Sequence, residues 1–356
     1  MNISELAARL QLSPSTVSRV LSGSAAKYRI SPTTANRVRE AAGRYGVAPD
    51  PLGASLRRGK LGMAGFLAPD ITNPFFSALA RSIELELRQH GITVQLCDSA
   101  ENPMTELELL EQMRSRRLDG LILAPVGRAS PALTQAIQSA GLPLLLIDRI
   151  LPGLDVPTVS LDNAAAGRLA ASHLIATGHR RIACLRGDHE SHTDRERFHG
   201  VERTLFDADL PLRAEWIQGS GYSREAGLEG ARKLFLARSR PDAVIALSGQ
   251  GTLGLLEAAQ EAGLRIPDDL SLVAFDEQPW SAFVAPPLTT VVQPVDAMAK
   301  LAARTLLLLM EGRAAEPDQG VFPARLHHRS SVMPRPAPAS CGTTDVYGNS
   351  DGAPGI

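Results

Sequence analysis

The 356-residue sequence predicts a small all-α helix-turn-helix head followed by an α/β core of two doubly wound parallel-sheet lobes. Three observations predict it. The stretch ISELAARLQLSPSTVSRVLSG, residues 3–23, holds two short helical periodicities separated by a tight turn. Charge is concentrated at the same end: residues 1–60 carry ten Lys/Arg against three acids, whereas the whole chain has a net charge of −1. From Leu61 the pattern changes to aliphatic strands alternating with amphipathic helices, and it runs twice.

In the head, Ile3, Leu6, Ala7 and Leu10 form one apolar helical face. Ser13-Pro14 reads as an N-cap followed by proline at the first helical position. The second helix turns Val17, Val20 and Leu21 inward and leaves Ser15, Thr16, Ser18 and Arg19 facing out. Ser31-Pro32 opens a third helix, to about Tyr45, whose Ala35, Val38, Ala41, Ala42 and Tyr45 close a three-helix core, and Gly46 ends it. The segment VAPDPLGASLRRGK holds about two helical turns, too few to stand alone, so it forms a helix only when docked.

The core begins with GMAGFLAP, a helix over 75–90 and ITVQLCD; helices near 104–116 and 130–140 then alternate with GLILAP and PLLLID. TVSLD restarts the pattern, with helices over about 163–177, 194–208, 224–237 and 252–262 between RIACLRG, a strand near Trp216, AVIALS and LSLVAFD. TTVVQP and the helix over 295–310 return to the first lobe, and VFPARLHHRSS adds a last strand. The domain reading is therefore a head over 1–46, a hinge over 47–60 and a core over 61–333. Lobe 1 takes about 61–159 and 291–320, lobe 2 about 160–290 and 321–333. A Pro/Gly/Ser-rich tail over 334–356 is expected to be disordered.

An apolar fraction of 44% with 21% charged residues excludes a disordered chain. Cys97, Cys184 and Cys341 show no CxxC spacing, which argues against structural zinc or a disulfide framework and fits the reducing cytoplasm. The first helix contains Glu5 and Arg9, unlike a signal peptide, and the longest aliphatic run, 306–310, is too short to span a bilayer. No membrane partner and no cofactor are expected. A basic head on an acidic body is the footprint of a nucleic-acid-binding module fused to something else.

The order of these parts resembles the LacI/GalR family of bacterial transcription regulators over roughly residues 2–333. The carriers are STVSRVLSG, the hinge-like APDPLGASLRRGK, MAGFLAPDITNPFF, LLLIDR, HLIATGHRRIACLRG, RERFHG, IPDDLSLVAFDE and PPLTTVVQP. The KYRIS insertion is most similar to the fructose-type repressor/activator and sucrose-repressor branch. The resemblance implies a cytoplasmic homodimer, without enzymatic activity, on a pseudo-palindromic double-stranded operator. It also implies a periplasmic-binding-protein-like type I core sensing a sugar or sugar phosphate.

Position by position, the resemblance places Ser15, Thr16, Ser18 and Arg19 in the major groove, next to the capping Ser13, with the Tyr28-Arg29 loop close by and Asn2 beside a phosphate. Pro14 departs from the family, offering only apolar contact where relatives place a base-reading side chain. Leu56 matches the hinge leucine that wedges into the minor groove, and Gly53 within that hinge raises the cost of ordering it by roughly 1 kcal/mol. For the effector, the resemblance implies Arg197 and Asp276, then Asp148, Arg149, Asn73, Phe75 and Tyr222. Ser248-Gly249 stands where most relatives carry Asn-Asp, which removes two polar groups that hold sugar hydroxyls. No leucine-heptad tail follows Pro334, which favours a dimer over a tetramer.

Two other chemistries compete. GQGTLG, residues 249–254, follows a strand and precedes Asp276 by about twenty residues, as a dinucleotide-binding enzyme would require. GDHESHTDRE bunches His189, His192, Asp188, Asp194 and Glu190 without metal-ligand spacing, which predicts a solvated polar loop and no metal. His327-His328 reads as structural. A cytoplasmic solute-binding protein would share the core but would not need the basic head.

Overall fold

The computed structural model describes residues 1–47, 61–127, 130–210, 212–314 and 320–335. The expected hinge helix, with Gly53 and Leu56, and the tail beyond residue 335 lie outside the described residues.

In the head, α1 (Ile3–Leu10), α2 (Pro14–Leu21) and α3 (Pro32–Tyr45) enclose Leu6, Ala7, Val17, Val20, Ala35, Val38 and Ala42. Asn2 caps α1 through a reciprocal capping box with Glu5. Ser13 and Ser31 cap α2 and α3, each followed by proline, because a proline at the first helical position removes only an N–H that would lack a partner. Val47, buried in this core, donates its N–H to the Ala42 carbonyl, so the head extends one residue past its expected end.

The chain divides into two compact units, the first comprising Met1–Asp162, Glu190–Thr193 and Pro294–Phe322. Its strands are β1 (Met63–Ala68), β2 (Thr93–Asp98), β3 (Gly120–Leu123), β4 (Leu144–Ile147), β5 (Thr158–Leu161) and, late in the chain, β11 (Val321–Phe322). They form an all-parallel sheet in the order β11-β5-β4-β3-β1-β2. Helices α4 (Pro74–Arg88), α5 (Pro103–Ser115), α6 (Pro131–Gln138) and α11 (Val295–Met310) also belong to this unit. Phe66, Ile122, Leu145 and Ile147 pack with Phe76, Leu79 and Ile83 of α4 and Met298, Ala302 and Leu306 of α11, while Leu67, Leu121 and Leu146 pack with Leu110, Met113 and Leu133. Asp119, at the entrance to β3, receives the backbone N–H groups of Leu61, Gly62 and Met63 at 2.5–3.1 Å, so its carboxylate fixes the chain where the core starts.

The second unit comprises Asn163–His189, Asp194–Gln293 and the chain from Pro323. Its helices are α7 (Asn163–Ala176), α8 (His192–Asp207), α9 (Arg224–Phe235) and α10 (Gly249–Glu261). Its sheet, in the order β12-β10-β9-β8-β6-β7, contains β6 (Ile182–Leu185), β7 (Ile217–Gln218), β8 (Ala243–Ala246), β9 (Ser271–Phe275), β10 (Thr289–Val292) and β12 (Arg325–His327). Only the β10–β12 pair is antiparallel.

Four expectations need correction. TVSL lies in the first sheet, beside β4, because Val159 fills the same core as Leu145 and Ile147. TTVV stays in the second sheet, beside β9, and the chain leaves it only at α11. VFPARLH is two strands, one in each sheet, with Pro323 at the change. Arg335 is not loose tail: its N–H donates to the Thr177 carbonyl, and its own carbonyl sits where a side chain on Gly178 would clash at 2.4 Å. Aliphatic strands of four residues carry no mark of which sheet they join.

Candidate functional site

The reading face of the head is built from short polar side chains held by local hydrogen bonds. Ser13 Oγ accepts from the Thr16 N–H and contacts the hydroxyls of Ser15 and Thr16 at 2.9 and 2.8 Å. Ser13 and Asn2 therefore act as caps first. Arg19 extends from α2 with its guanidinium 4.0 Å from the centre of the Tyr28 ring, and Arg29 follows in the left-handed region at φ 51°. Arg9 lies over Tyr45 at 4.7 Å.

In the first unit the expected residues gather at the carboxyl ends of the strands. Asp148, directly after β4, is buried with φ 65°, a left-handed conformation that costs roughly 1 kcal/mol or more for a residue with a Cβ. Arg149 is also buried. Its guanidinium grips Glu101 bidentately at 2.6 and 2.7 Å and donates to the Val126 carbonyl at 2.8 Å. Asn73 caps α4 by accepting the Phe75 N–H, and Phe75 meets Phe76 edge-on at 5.0 Å. Ser191 and Thr193 are buried, with hydroxyls that find no partner among the described residues.

The second unit repeats the device. Asp276, directly after β9, is buried with φ 67°, and its N–H donates to the Val291 carbonyl as that of Asp148 does to Val159. Its carboxylate accepts from Gln293 Nε2 at 2.8 Å. Arg197, on α8, is buried over the Phe275 ring; its Nε donates to Asn163 Oδ1 and its Nη1 to the Leu247 carbonyl, both at 2.8 Å. Neither of these two partners is a carboxylate. Gln293 Oε1 and Gln278 Nε2 are buried without a partner among the described residues, an arrangement that calls for a polar ligand or water. Ser248 caps α10 by accepting the Gly251 N–H. The Tyr222 ring lies against Gly187, where an added Cβ would come within 2.4 Å of it.

Comparison with known proteins decides the family. Residues 171–332 match the model of a periplasmic binding protein-like domain. The chain is 31% identical over 334 residues to the HTH-type transcriptional regulator DegA of Bacillus subtilis, covering 93% of this chain and 98% of that protein. It is 30% identical over 333 residues to the HTH-type transcriptional repressor CytR of Escherichia coli, covering 93% and 96%. Similarity at this level runs the length of both proteins. The chain is a LacI/GalR-family transcription regulator. A LacI family regulator from Enterococcus faecium with bound ribose has a similar structure, with 27% identity and a TM-score of 0.69 over 77% of this chain and 100% of that one.

As in its relatives, DNA binding belongs to this LacI/GalR regulator; the glycine motif has a different use from a dinucleotide loop. Helix α10 starts at Gly249 rather than 252, so GQGTLG is its first turn and a half. A Cβ on Gly254 would lie 2.2 Å from the Arg224 carbonyl oxygen, and one on Gly227 would lie 2.6 Å from Gly251. These glycines let α9 and α10 touch backbone to backbone. Gly249 makes room for Gln278, whose Nε2 would lie 2.1 Å from an added Cβ.

The 187–196 segment is a second correction. It turns inward in part: His189 and Glu190 are exposed, but Ser191, Thr193 and Asp194 are buried, and Asp194 binds Arg186 at 2.6 Å and accepts the Gly187 N–H at 2.7 Å. Burial raises the Asp194 carboxyl pKa while Arg186 opposes the shift. Sequence reasoning missed Asn163, Gln278, Gln293 and Glu101; their only signal was position just beyond a strand end, which many solvent-facing residues share. His328 stacks edge-on against His173 at 4.6 Å, and His327 approaches Glu277 at 3.6 Å.

Glu106 on α5 is wholly buried; Oε1 accepts the Val126 N–H at 2.7 Å and Oε2 has no partner among the described residues. Burial pushes its pKa from 4.5 up to about 7, against the Val126 N–H and the Arg149 charge, with Glu101 adding to the rise. A raised carboxyl pKa penalises the charged form in the fold. The penalty is absent below about pH 4.5 and complete above about pH 7. Glu106→Gln should therefore gain on the wild type as pH rises, with the difference in Tm moving roughly 5 °C in its favour between pH 5 and 8. Calorimetric melts across that range check it; a constant difference refutes it.

Proposed function

We propose that this LacI/GalR regulator is a repressor of carbohydrate-metabolism genes, binding a pseudo-palindromic operator as a homodimer and leaving it when a sugar binds the core. The observation that carries the sugar is the buried cluster of Arg197, Asn163, Asp276 and Gln293 in the second unit: planar donors and a carboxylate acceptor with spare amide capacity. Asp276 accepts sugar hydroxyl protons, Arg197 donates to sugar oxygens, and Tyr222 stacks on the ring. In the first unit Asp148 is a further candidate acceptor; Asn73 and Phe75 there, and Ser248 in the second unit, carry lesser weight because each is engaged in capping or packing.

Arg149 spends its guanidinium on Glu101, which favours an uncharged sugar over a sugar phosphate. The KYRIS insertion favours the fructose or sucrose branch; CytR is named a repressor and the Enterococcus faecium regulator holds ribose, which support repression and a sugar effector here. On the operator, α2 lies in the major groove with Ser15, Thr16, Ser18 and Arg19 toward the bases, Asn2 and Arg29 serve phosphates, and Leu56 wedges the centre. Both units expose apolar residues for a second copy: Ile71, Leu85 and Leu96 in the first, Leu253 and Phe283 in the second. The protein acts in the cytoplasm, where the operator is.

The test is selection of duplexes from a random library by the full chain, followed by gel shifts with fructose, sucrose, ribose, glucose and cellobiose. One sugar should release the complex, and Asp276→Asn should raise the concentration needed by at least about tenfold, the loss of a hydrogen bond to a charged group. No selected duplex, no responsive sugar, or a sugar that tightens the complex would overturn the respective part.

A further inference from the structure

The Arg19–Tyr28 pair is set up before any DNA arrives. Arg19 is exposed in the last turn of α2, and among the described residues no carboxylate pairs with it. Its backbone is held: the Arg19 carbonyl accepts from the Ser24 N–H at 2.9 Å and from Ser22 Oγ at 3.2 Å. The loop carrying Tyr28 is held at both ends as well. The Tyr28 N–H donates to the Ser24 carbonyl, and the Ile30 N–H to that of Ala25, which is buried in the head core. The left-handed Arg29 between them turns the chain back. A fixed ring thus stands 4.0 Å from the guanidinium carbon of a fixed helix residue.

Stacking uses the face of the guanidinium and leaves its N–H edge outward, the edge that binds O6 and N7 of guanine bidentately. An arginine already stacked has fewer rotamers to lose on docking. Four other basic side chains of the head contact the fold itself: Arg9 and Arg44 cover Tyr45, Arg37 reaches the Leu10 carbonyl, and Arg39 reaches Asn36.

We propose that Tyr28 is a positioning residue that presets Arg19 to read a guanine in each half-site, acting through Arg19 rather than on the DNA. This rests on the DNA-reading role given to α2 above. It assigns the KYRIS insertion a purpose: it restores the specificity that Pro14 subtracts.

The experiment is duplex selection and sequencing with the full-length wild type, Tyr28→Phe, Tyr28→Leu, Tyr28→Ala and Arg19→Ala, with the Tm of each variant measured alongside. Wild type and Tyr28→Phe should enrich the same pseudo-palindrome. Arg19→Ala should lose preference for one G·C pair per half-site. Tyr28→Ala and Tyr28→Leu should weaken that preference alone, by about fivefold per half-site and about 25-fold over both, the strength of an exposed cation–π contact. Their Tm and their preference at other positions should match the wild type. An unchanged Tyr28→Ala motif overturns the proposal, as does a uniform loss of affinity or a Tyr28→Phe that behaves like Tyr28→Ala, since each would put Tyr28 on the DNA itself or nowhere. If the wild type enriches a motif and Arg19→Ala keeps all of it, the proposal also falls while DNA reading stands. If the wild type enriches none, both fall together.

Discussion

Gly167→Ala should lower the melting temperature of the second unit by roughly 10 °C. Gly167 on α7 and Gly200 on α8 face each other, and the added Cβ would lie 2.0 Å from the Arg197 carbonyl oxygen and 3.1 Å from the Val201 nitrogen. A Cβ on Gly200 would lie 2.1 Å from the Ala164 carbonyl oxygen. Every obstructing atom is backbone, so no side-chain rotation relieves the clash and the two helices must separate. Overpacking of that kind costs about 3 kcal/mol or more, which lowers the Tm of a unit this size by roughly 10 °C. Sugar binding should fail with it, because Asn163 and Arg197 approach each other across the same helix contact. Calorimetry on the full chain is the check, and a Tm within 2 °C, about half a kcal/mol, would refute the contact.

Arg197→Lys should abolish the sugar response while sparing the fold. The guanidinium satisfies Asn163 Oδ1 and the Leu247 carbonyl from two different nitrogens while lying flat on Phe275 at 4.7 Å. An ammonium is a single point donor with no planar face, so it can keep one of those contacts and not their geometry. Losing the charge-assisted hydrogen bonds to a bound sugar costs about 3 kcal/mol, or about 100-fold in affinity. Calorimetric titration with the sugar that releases the wild type measures it. DNA binding without sugar should stay within about twofold, because Arg197 lies in the core and not in the head. Sugar affinity near that of the wild type would mean the ligand sits on other residues.

Much of this could be read from residue order, and the failures share a cause. The head was visible because its signals are local: Asn2, Ser13 and Ser31 cap within three residues, prolines mark the first turns, and Leu6, Val17, Val20 and Val38 repeat at helical spacing. Arg197 and Asp276 were named through family motifs, and both are buried in the second unit, Asp276 directly after β9 and Arg197 on α8. The tie of Arg149 to Glu101 could not be read from residue order because it spans 48 residues of sequence. The GQGTLG glycines matched a nucleotide pattern because short motifs record which residues lack a side chain and not what occupies the space.

Helix and strand order, capping, the basic head and the family follow from the chain alone, since each depends on neighbours a few residues apart or on motifs carried whole. The sheet that each of β5, β10 and β11 joins, the neutralisation of Arg149, the inward turn of Asp194 and the stacking of Arg19 on Tyr28 were settled by folding. Each depends on contacts between segments whose separation along the chain says nothing of their distance in space, and a four-residue aliphatic strand pairs equally well with either sheet until the core around it is full.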